Sequence, residues 1–177
     1  MTSKKLLRQQ IRELKALIQP YQALIESERV REAIESLPQF KSADNIMLYH
    51  SLSDELPTLN MIERWKDSKR LFLPAIVDGR IQARELTSNL KKGSYNSLEP
   101  QSEATTHDIQ IIIVPGIAFD AKKNRLGRGK GFYDEFLQNT SALKIGIAFD
   151  CQIVDDLPTD SHDVKMDIVI TARLLIA

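Results

Sequence analysis

Short apolar runs and segments of helical periodicity alternate along most of this chain, and this alternation limits the possible folds more than any single motif does. The apolar runs are NIMLYHSL, RLFLPAIV, IQIIIVPG, ALKIGIAFD and DIVITARLL. Their length and β-branched content suit strands buried on both faces, which is typical of parallel sheets covered by helices. The pattern therefore predicts an α/β fold with a mostly parallel sheet, whose ligand loops gather at the carboxyl ends of the strands.

Proline and glycine residues give boundaries for these segments. The apolar spacing predicts a first helix from Lys4 to Ile18 that ends before Pro20, and a second helix from about Ala23 to Leu37. The segment GRIQARELT is expected to pair with RLFLPAIV across an Asp-Gly turn. Residues 87 to 108 are rich in Ser, Thr, Asn and Gln, and we expect a long functional or mobile loop there.

The composition argues against several classes of protein. Lys and Arg total 24 and Asp and Glu total 24, so no overall positive field draws the chain to nucleic acid. The one cysteine, Cys151, excludes an internal disulfide, and the three histidines are too far apart in sequence for a compact zinc motif. No apolar run approaches the roughly 20 residues that span a bilayer. We expect a single domain over residues 1–177, in a soluble cytoplasmic monomer that binds neither nucleic acid nor membranes.

The segment NRLGRGKGFYDEFL, residues 124 to 137, has the composition of an anion-binding loop. Glycines at alternate positions let successive N–H groups surround an anion, and the interleaved Arg128 and Lys130 add positive charge. A helix is expected from Phe132 to Leu137, with its positive end toward the same spot. The loop is not a Walker loop, since glycine follows Lys130, and not a dinucleotide fingerprint, since Phe132 replaces the third glycine. A glycine-rich turn with solvated basic residues is the alternative.

Charged side chains elsewhere are weaker candidates. A basic stripe on the first helix consists of Lys4, Arg8, Arg12 and Lys15. On its pattern alone, such a stripe is typical of a solvated helix face. Three carboxylates follow strands and are candidates for one rim of the sheet: Glu55, Asp120 and Asp150. Asp120 and Asp150 are individually better interpreted as turn residues, because Asp is common in turns for local hydrogen-bonding reasons.

The segment VPGIAFDAKKNRLGRGKGFYDEFL, followed by LPTDSHDVKMDIVIT, resembles the 5-formyltetrahydrofolate cyclo-ligase family, also called methenyltetrahydrofolate synthetase. The resemblance covers essentially the whole chain, including the N-terminal K-x-x-x-R helix, the SLSDELPT segment and the LEP loop. The glycine-loop signature is specific, whereas the N-terminal pair is weak by itself. Many members have a tyrosine where this chain has Phe132, which keeps the ring and loses one hydroxyl. The resemblance implies a three-layer α/β/α sandwich, in agreement with the α/β pattern.

The resemblance also implies a reaction, the ATP-dependent conversion of 5-formyltetrahydrofolate to 5,10-methenyltetrahydrofolate with release of ADP and phosphate. The N-formyl group is an amide whose carbon is a poor electrophile and whose oxygen is a poor leaving group. In the family's mechanism the γ-phosphoryl group moves to the formyl oxygen, N10 attacks the activated carbon, and phosphate departs. Catalysis is then mostly positioning and charge neutralisation.

Residue roles follow from the same resemblance. It implies an ATP site formed by Lys4, Lys5, Leu6, Leu7, Arg8, Arg125, Leu126, Gly127, Arg128, Gly129, Lys130, Gly131, Phe132 and Tyr133. It implies a site for the folate, with or without a polyglutamate tail, formed by His50, Glu55, Arg128, Gly129, Lys130, Gly131 and Phe132. The implied catalytic residues are Arg128, Lys130 and Tyr133. Mg²⁺ is expected on Asp134 and Asp167, with Asp163 a weaker candidate, while Arg12 and Lys15 stay on the solvated face.

Some alternatives remain open from the residues alone. Tyr95 and Trp65 are candidates to stack on the folate rings, although an aromatic residue in an apolar helix usually belongs to the core. A regulatory or nucleic-acid-binding module could use GRGKG as a backbone clamp, but the balanced net charge argues against it. A kinase-like transferase would share the ATP site and differ in the acceptor.

Overall fold

A seven-stranded sheet forms the centre of the computed structural model, which describes residues 3–93, 97–105 and 107–177. The helices are α1 (Lys4–Lys15), α2 (Pro20–Ser36), α3 (Pro38–Ser42), α4 (Leu59–Trp65) and α5 (Phe132–Gln138). The strands are β1 (Asn45–Met47), β2 (Arg70–Val77), β3 (Arg80–Glu85), β4 (Leu90–Lys92), β5 (Leu98–Pro100), β6 (Ile111–Pro115), β7 (Ala118–Asp120), β8 (Arg125–Leu126), β9 (Leu143–Ile147), β10 (Ile153–Val154), β11 (Ile168–Ile170) and β12 (Leu175–Ile176).

The central sheet is mostly parallel. Its strand order is β12-β11-β9-β6-β1-β2-β3, and the neighbours from β11 to β2 all pair in parallel. Strands β3 and β12 add antiparallel edges. This arrangement confirms the predicted α/β fold. It also brings the carboxyl ends of β1, β6 and β9 to one edge of the sheet, where ligand loops of such folds meet.

The strands bury side chains on both faces, as their apolar runs predict. In β6, Ile111 and Ile113 pack in one core with Val30 and Ile34 of α2. Ile112 and Val114 face the other way and share a second core with Leu137 of α5. The alternation follows from the two-residue period of a strand, and it explains why a continuous β-branched run suits this position.

Several predicted boundaries differ from those observed. Helix α2 begins at Pro20 rather than Ala23, because proline at the first helical position loses no intrahelical hydrogen bond. The expected loop at residues 87 to 108 contains the antiparallel pair β4–β5. Tyr95, a candidate stacking residue, lies outside the described residues. Trp65 is 2% exposed and packs on Phe40, so it belongs to the core.

A small second sheet carries the glycine-rich segment. Its strand order is β10-β7-β8, and the β7–β8 hairpin leads directly into residues 127–131. Asp120 lies at the turn of this hairpin, fully buried, and accepts hydrogen bonds from the backbone of Lys122, Asn124 and Leu157. Its role is therefore the structural one preferred from the sequence. Among the described residues, no helix has the length and apolar character needed to cross a membrane.

Candidate active site

A cleft of about 520 Å³ lies at the carboxyl ends of the parallel strands. Loops that follow β1 and β6, the segment 125–134 and the first two turns of α1 form its walls. Most of the residues that the sequence proposed for ATP and folate line this one cleft: Lys4, Arg8, His50, Glu55, Arg125, Leu126, Gly127, Arg128, Gly129, Lys130, Gly131, Phe132 and Tyr133. The tertiary fold therefore brings together residues more than 100 positions apart.

The glycine loop, residues 127–131, has a backbone that side chains would strain or obstruct. Gly129 and Gly131 have φ of 98° and 73°, in the left-handed region that favours glycine. A Cβ on Gly127 would lie 2.9 Å from the guanidinium of Arg125. Gly131 directly precedes α5, which starts at Phe132 as predicted. The loop thus exposes backbone between two secondary-structure elements, as an anion-binding loop requires.

Helix α1 lies with one face on the cleft and another on the core. Lys4 and Arg8 line the cleft, and Arg8 Nε donates a 2.9 Å hydrogen bond to the carbonyl oxygen of Gly127. Leu7 does not line the cleft and is buried in a small core with Leu126. The helix is therefore fastened directly to the glycine loop.

Three predicted ATP residues of α1 do not line the cleft. Lys5 and Leu6 are exposed, and Leu7 packs in the core. The 3.6-residue period turns Lys5 and Leu6 away from the face of Lys4. Leu7 lies nearer to that face, but its side chain is buried against Leu126. Of residues 4–8, the structure thus places only the first and last at the cleft.

Arg128 is bound by two carboxylates from the loop after β1. Its Nη2 donates to Asp54 Oδ1 at 2.5 Å and to Glu55 Oε1 at 3.0 Å, and its Nε donates to Glu55 Oε1 at 3.2 Å. Burial opposes the charge of Arg128, but these two carboxylates outweigh it and raise its pKa. The residue remains a guanidinium cation at any physiological pH.

Lys4 is also bound by two carboxylates, at the other end of the cleft. Its Nζ lies 2.7 Å from Asp160 Oδ2 and 2.6 Å from Asp163 Oδ2. Burial opposes ionisation of both partners, but the hydrogen bonds raise the pKa of Lys4 and lower the pKa of Asp163. Asp160, His162 and Asp163 bring three possible ligand atoms within 4.8 Å of one another. By contrast, Lys130 is exposed and has no carboxylate within ion-pair distance in the described parts of the chain.

Arg125 forms the floor of the cleft. Its side chain is 3% exposed, and Nη2 donates to Asp134 Oδ1 at 2.8 Å. The guanidinium also lies over the Tyr133 ring, 5.7 Å from its centroid. Burial raises the pKa of Tyr133, with Glu55 adding to the effect, so its hydroxyl stays protonated and can donate a hydrogen bond.

Part of the cleft lining, called the apolar wall below, is made of apolar side chains. It consists of Tyr49, Pro74, Ile76, Ile81 and Phe132. His50 and the buried Glu99 of β5 also line the cleft, and the Glu99 carboxylate accepts a hydrogen bond from Ser97. An apolar surface with a few polar groups suits a flat heteroaromatic ligand.

Asp134 and Asp167, the aspartates predicted to bind Mg²⁺, are not brought together. Asp134 lines the cleft, where its Oδ1 accepts from Arg125 and from the backbone N–H of Val164. Asp167 precedes β11 and accepts from the backbone N–H of Lys144, at the amino ends of β9 and β11. These amino ends lie at the edge of the sheet opposite the cleft, because β6, β9 and β11 are parallel. The geometry therefore supports Asp134 and not Asp167.

Asp150 also lies apart from the cleft. It pairs with Arg173 at 3.2 Å, and its backbone N–H donates to Glu26. Sequence reasoning missed Asp54, Glu99 and Asp160 as cleft-associated carboxylates. Asp54 and Glu99 stand in the SLSDELPT and LEP segments that carried the family resemblance, and that position was the available signal.

Comparison with known proteins gives one family. The sequence profile of the 5-formyltetrahydrofolate cyclo-ligase family matches residues 1–172. A relative from Haemophilus influenzae named 5-formyltetrahydrofolate cyclo-ligase is 32% identical over 173 residues, covering 90% of this chain and 92% of the relative. A mouse relative of the same name is 31% identical over 180 residues, covering 87% and 89%.

Solved structures show the same likeness. The 5,10-methenyltetrahydrofolate synthetase of Aquifex aeolicus superposes with a TM-score of 0.88 at 30% identity, over 97% of this chain and 91% of that protein. The synthetase of Mycoplasma pneumoniae superposes with a TM-score of 0.78 at 23% identity, over 97% of this chain and all of that protein, and supports the fold.

Proposed function

The chain belongs to the 5-formyltetrahydrofolate cyclo-ligase family, and from that premise we propose that its cleft converts 5-formyltetrahydrofolate to 5,10-methenyltetrahydrofolate at the expense of ATP. One observation carries the assignment of the chemistry to this cleft. A basic glycine loop and a set of apolar side chains line one cavity of about 520 Å³, so a triphosphate and a folate can meet there. A cavity of this size accommodates the reacting parts of both ligands, with the remainder extending outward.

The triphosphate belongs to the basic wall. Lys130 and Arg8 have no carboxylate partner in the described chain, so their charge is available to phosphate oxygens without displacing a protein anion. The glycine-loop amides add dipoles at the same place. Lys4 can join them once its carboxylates release it.

The pterin and its formyl group belong to the apolar wall. Ile76, Ile81 and Phe132 supply flat apolar surface, and His50 and Glu55 supply polar contacts at its edge. Glu55 accepts from Arg128 through Oε1 and from the backbone N–H of Leu52 through Oε2. It is thereby held in a fixed orientation, which is useful for binding N–H groups of a reduced pterin rather than for moving protons.

The chemical steps balance without a general base on the protein. The formyl oxygen forms a bond to the γ-phosphorus while the bond from that phosphorus to the ADP oxygen breaks. N10 then attacks the formyl carbon and loses its proton to solvent, and the carbon–oxygen bond breaks to release phosphate. Arg128 and Lys130 stabilise the charge on the transferring group, and Tyr133 donates a hydrogen bond from its protonated hydroxyl.

Magnesium fits the end of the cleft that contains Asp134, Asp160 and Asp163, called the acidic end below. Asp134 uses Oδ1 for Arg125 and Val164, and no hydrogen bond in the described chain reaches its Oδ2. Asp160 and Asp163 add further carboxylate oxygens, which are the ligands Mg²⁺ prefers. We therefore propose that Asp134 holds the ion together with these residues, where it would neutralise phosphate charge. A cytoplasmic location, where ATP is supplied, and action as a monomer are part of this proposal.

The test is direct. Purified protein is mixed with 5-formyltetrahydrofolate and Mg-ATP, and the near-ultraviolet absorbance of the methenyl product is followed together with ADP release. We expect product and ADP in equal amounts. ATP consumption without methenyl product, in the presence of another acceptor, would instead favour a kinase-like transferase. Tight salt-sensitive binding to nucleic acid with no turnover would favour a binding module.

A further inference from the structure

Lys15 differs from the rest of the basic stripe on α1. The sequence groups it with Arg12 on a solvated face, but its side chain is only 4% exposed. Its Nζ donates to the backbone carbonyl oxygen of Asp54 and lies 3.1 Å from Asp54 Oδ2. A lysine buried to this extent requires a charged partner, and Asp54 is that partner. The interpretation of Lys15 as a solvated residue is therefore wrong.

Asp54 divides its two carboxylate oxygens between two cations. Oδ2 faces Lys15, and Oδ1 accepts from Arg128 Nη2 at 2.5 Å. Burial opposes ionisation of Asp54, but the hydrogen bonds from Arg128 and Lys15 outweigh it and lower its pKa. Asp54 is therefore an anion that joins a buried residue of α1 to the glycine loop.

The contacts fix the plane of the Arg128 guanidinium. Glu55 accepts from Nε and Nη2 on one side, and Asp54 accepts from Nη2 beside it. Two such contacts determine both the position and the rotation of the planar group. Nη1 has no hydrogen bond within the described chain, so it remains available to a ligand oxygen.

We propose that Lys15 and Asp54 form a positioning pair that holds Arg128 in the orientation required for phosphoryl transfer. The inference rests on the proposed function for its catalytic consequence. Asp54 touches the catalytic arginine and Lys15 acts through Asp54, so both are positioning residues. Preorganised cations accelerate such reactions because no reorganisation is needed when charge develops.

The first experiment measures kcat and the ATP KM of Asp54→Asn, Lys15→Met and the double variant. We expect kcat to fall about 3- to 10-fold in each single variant, a modest part of what removing a catalytic hydrogen bond costs. The ATP KM should stay unchanged or fall in Asp54→Asn, because an anion beside Arg128 is lost. The double variant should be no slower than the slower single variant, because both changes remove one arrangement.

Matched controls come from an exposed ion pair of similar length. Lys122 and Asp156 lie 2.7 Å apart with side chains 66% and 65% exposed. Lys122→Met and Asp156→Asn should leave kcat and KM unchanged, since exposed pairs contribute little. An unchanged kcat in Asp54→Asn, a rise in ATP KM alone, or additive effects in the double variant would each overturn the proposal.

A second measurement is independent of turnover. The Nε–H signal of Arg128, identified by its loss in Arg128→Lys, should exchange with solvent several times faster in Asp54→Asn than in the wild type without ligands. Equal exchange in both proteins would contradict the positioning role even if the wild type made no methenyl product. If Lys15→Met fails to fold, Asp54→Asn decides the outcome by the same two measurements. Absence of product from the wild type alone would count against the proposed function.

Discussion

Each end of the cleft has one cation bound by two carboxylates, but, among the described residues, only at one end is a carboxylate also bound by a second, buried cation. At one end Arg128 is bound by Asp54 and Glu55, and at the other Lys4 is bound by Asp160 and Asp163. Asp54 is additionally bound by the buried Lys15. In the described chain, neither carboxylate of the Lys4 end is bound by a second lysine or arginine.

This difference indicates that Arg128 and Lys4 have different functions. A carboxylate paired with a buried lysine is costly to move, so the proposed positioning pair would keep Arg128 in one place. In the proposed function, the carboxylates beside Lys4 would exchange it for a metal ion and leave Lys4 for phosphate. We therefore expect changes at the Arg128 end to lower kcat and changes at the Lys4 end to weaken binding of Mg-ATP.

The largest effect is expected for Arg128→Lys. Lysine keeps the charge but loses the planar fork, so the contacts with Asp54 and Glu55 are not maintained together with one to phosphate. We expect kcat to fall by about one to two decades, which corresponds to roughly 1.5–3 kcal/mol for a charged hydrogen bond. Single-turnover kinetics at saturating ligands and direct ATP titration measure the two quantities separately. If Arg128→Lys had a chemical step of normal rate and only bound ATP more weakly, Arg128 would act in binding like Lys4, and the two ends would not differ in function.

Asp134→Asn and Asp167→Asn sharpen the assignment of the acidic end. Asp134→Asn should raise the magnesium concentration for half-maximal activity by about tenfold or more, because a formal charge is lost from the proposed metal site. It should also lower stability by roughly 1–3 kcal/mol, since the buried Arg125 loses its anionic partner. Magnesium titration of activity and denaturant unfolding measure the two effects.

Asp167→Asn is the matched control for that prediction. It weakens the contacts to Lys144 at the opposite edge of the sheet, so magnesium dependence should not change. If Asp167→Asn shifted the magnesium response as much as Asp134→Asn does, the proposal that Asp134, rather than Asp167, holds the ion would have to be abandoned.

Lys4→Ala and Arg8→Ala test directly whether the Lys4 end of the cleft binds ATP. Each should raise the ATP KM by about 3- to 10-fold with kcat and the folate KM less affected, since binding charge remote from the formyl group is lost. Lys5→Ala is the matched control, because its exposed side chain lies off the cleft on the same helix. ATP KM values equal to that of the wild type in all three variants would show that Lys4 and Arg8 do not contribute to ATP binding.

The smallest expected effect is the pH dependence of the Lys4 end. The pKa of Asp163 is lowered in the folded state, so the pair with Lys4 stabilises the protein above the ordinary Asp pKa of about 3.9. That contribution is lost as the pH falls through the lower folded pKa. We expect Asp163→Asn to be less stable than the wild type by about 1 kcal/mol or less near pH 6, with the difference shrinking below about pH 4.

Urea unfolding between pH 6 and 3 measures this difference. Asp156→Asn, which removes the carboxylate of an exposed pair, serves for comparison and should show a smaller effect. A stability difference for Asp163→Asn that grew as the pH fell would show that the pair does not stabilise the fold.

The extent of successful prediction differed between fold and site. The strand RLFLPAIV was predicted to its ends, because its apolar residues and its turn are both local signals. The start of α2 was placed three residues too late, because a proline can either precede a helix or occupy its first turn. The pairing of β4 with β5 was not predicted, because these short polar strands lack apolar alternation. In the site, the composition of the glycine loop was enough to predict an anion-binding loop. The position of Asp167 could not be predicted, because it depends on whether the residue lies at the carboxyl or the amino end of its strand.

By itself, the sequence determined the α/β class, the glycine loop and the family, because periodicity, glycine spacing and motif order are properties of neighbouring residues. Only the tertiary structure decided which side chains share the cleft. Lys15 and Arg12 are three positions apart on one helix and look alike in sequence, yet Lys15 alone is buried against Asp54. The reason is physical: burial and charge pairing depend on the elements packed opposite a residue, and those elements come from distant parts of the chain.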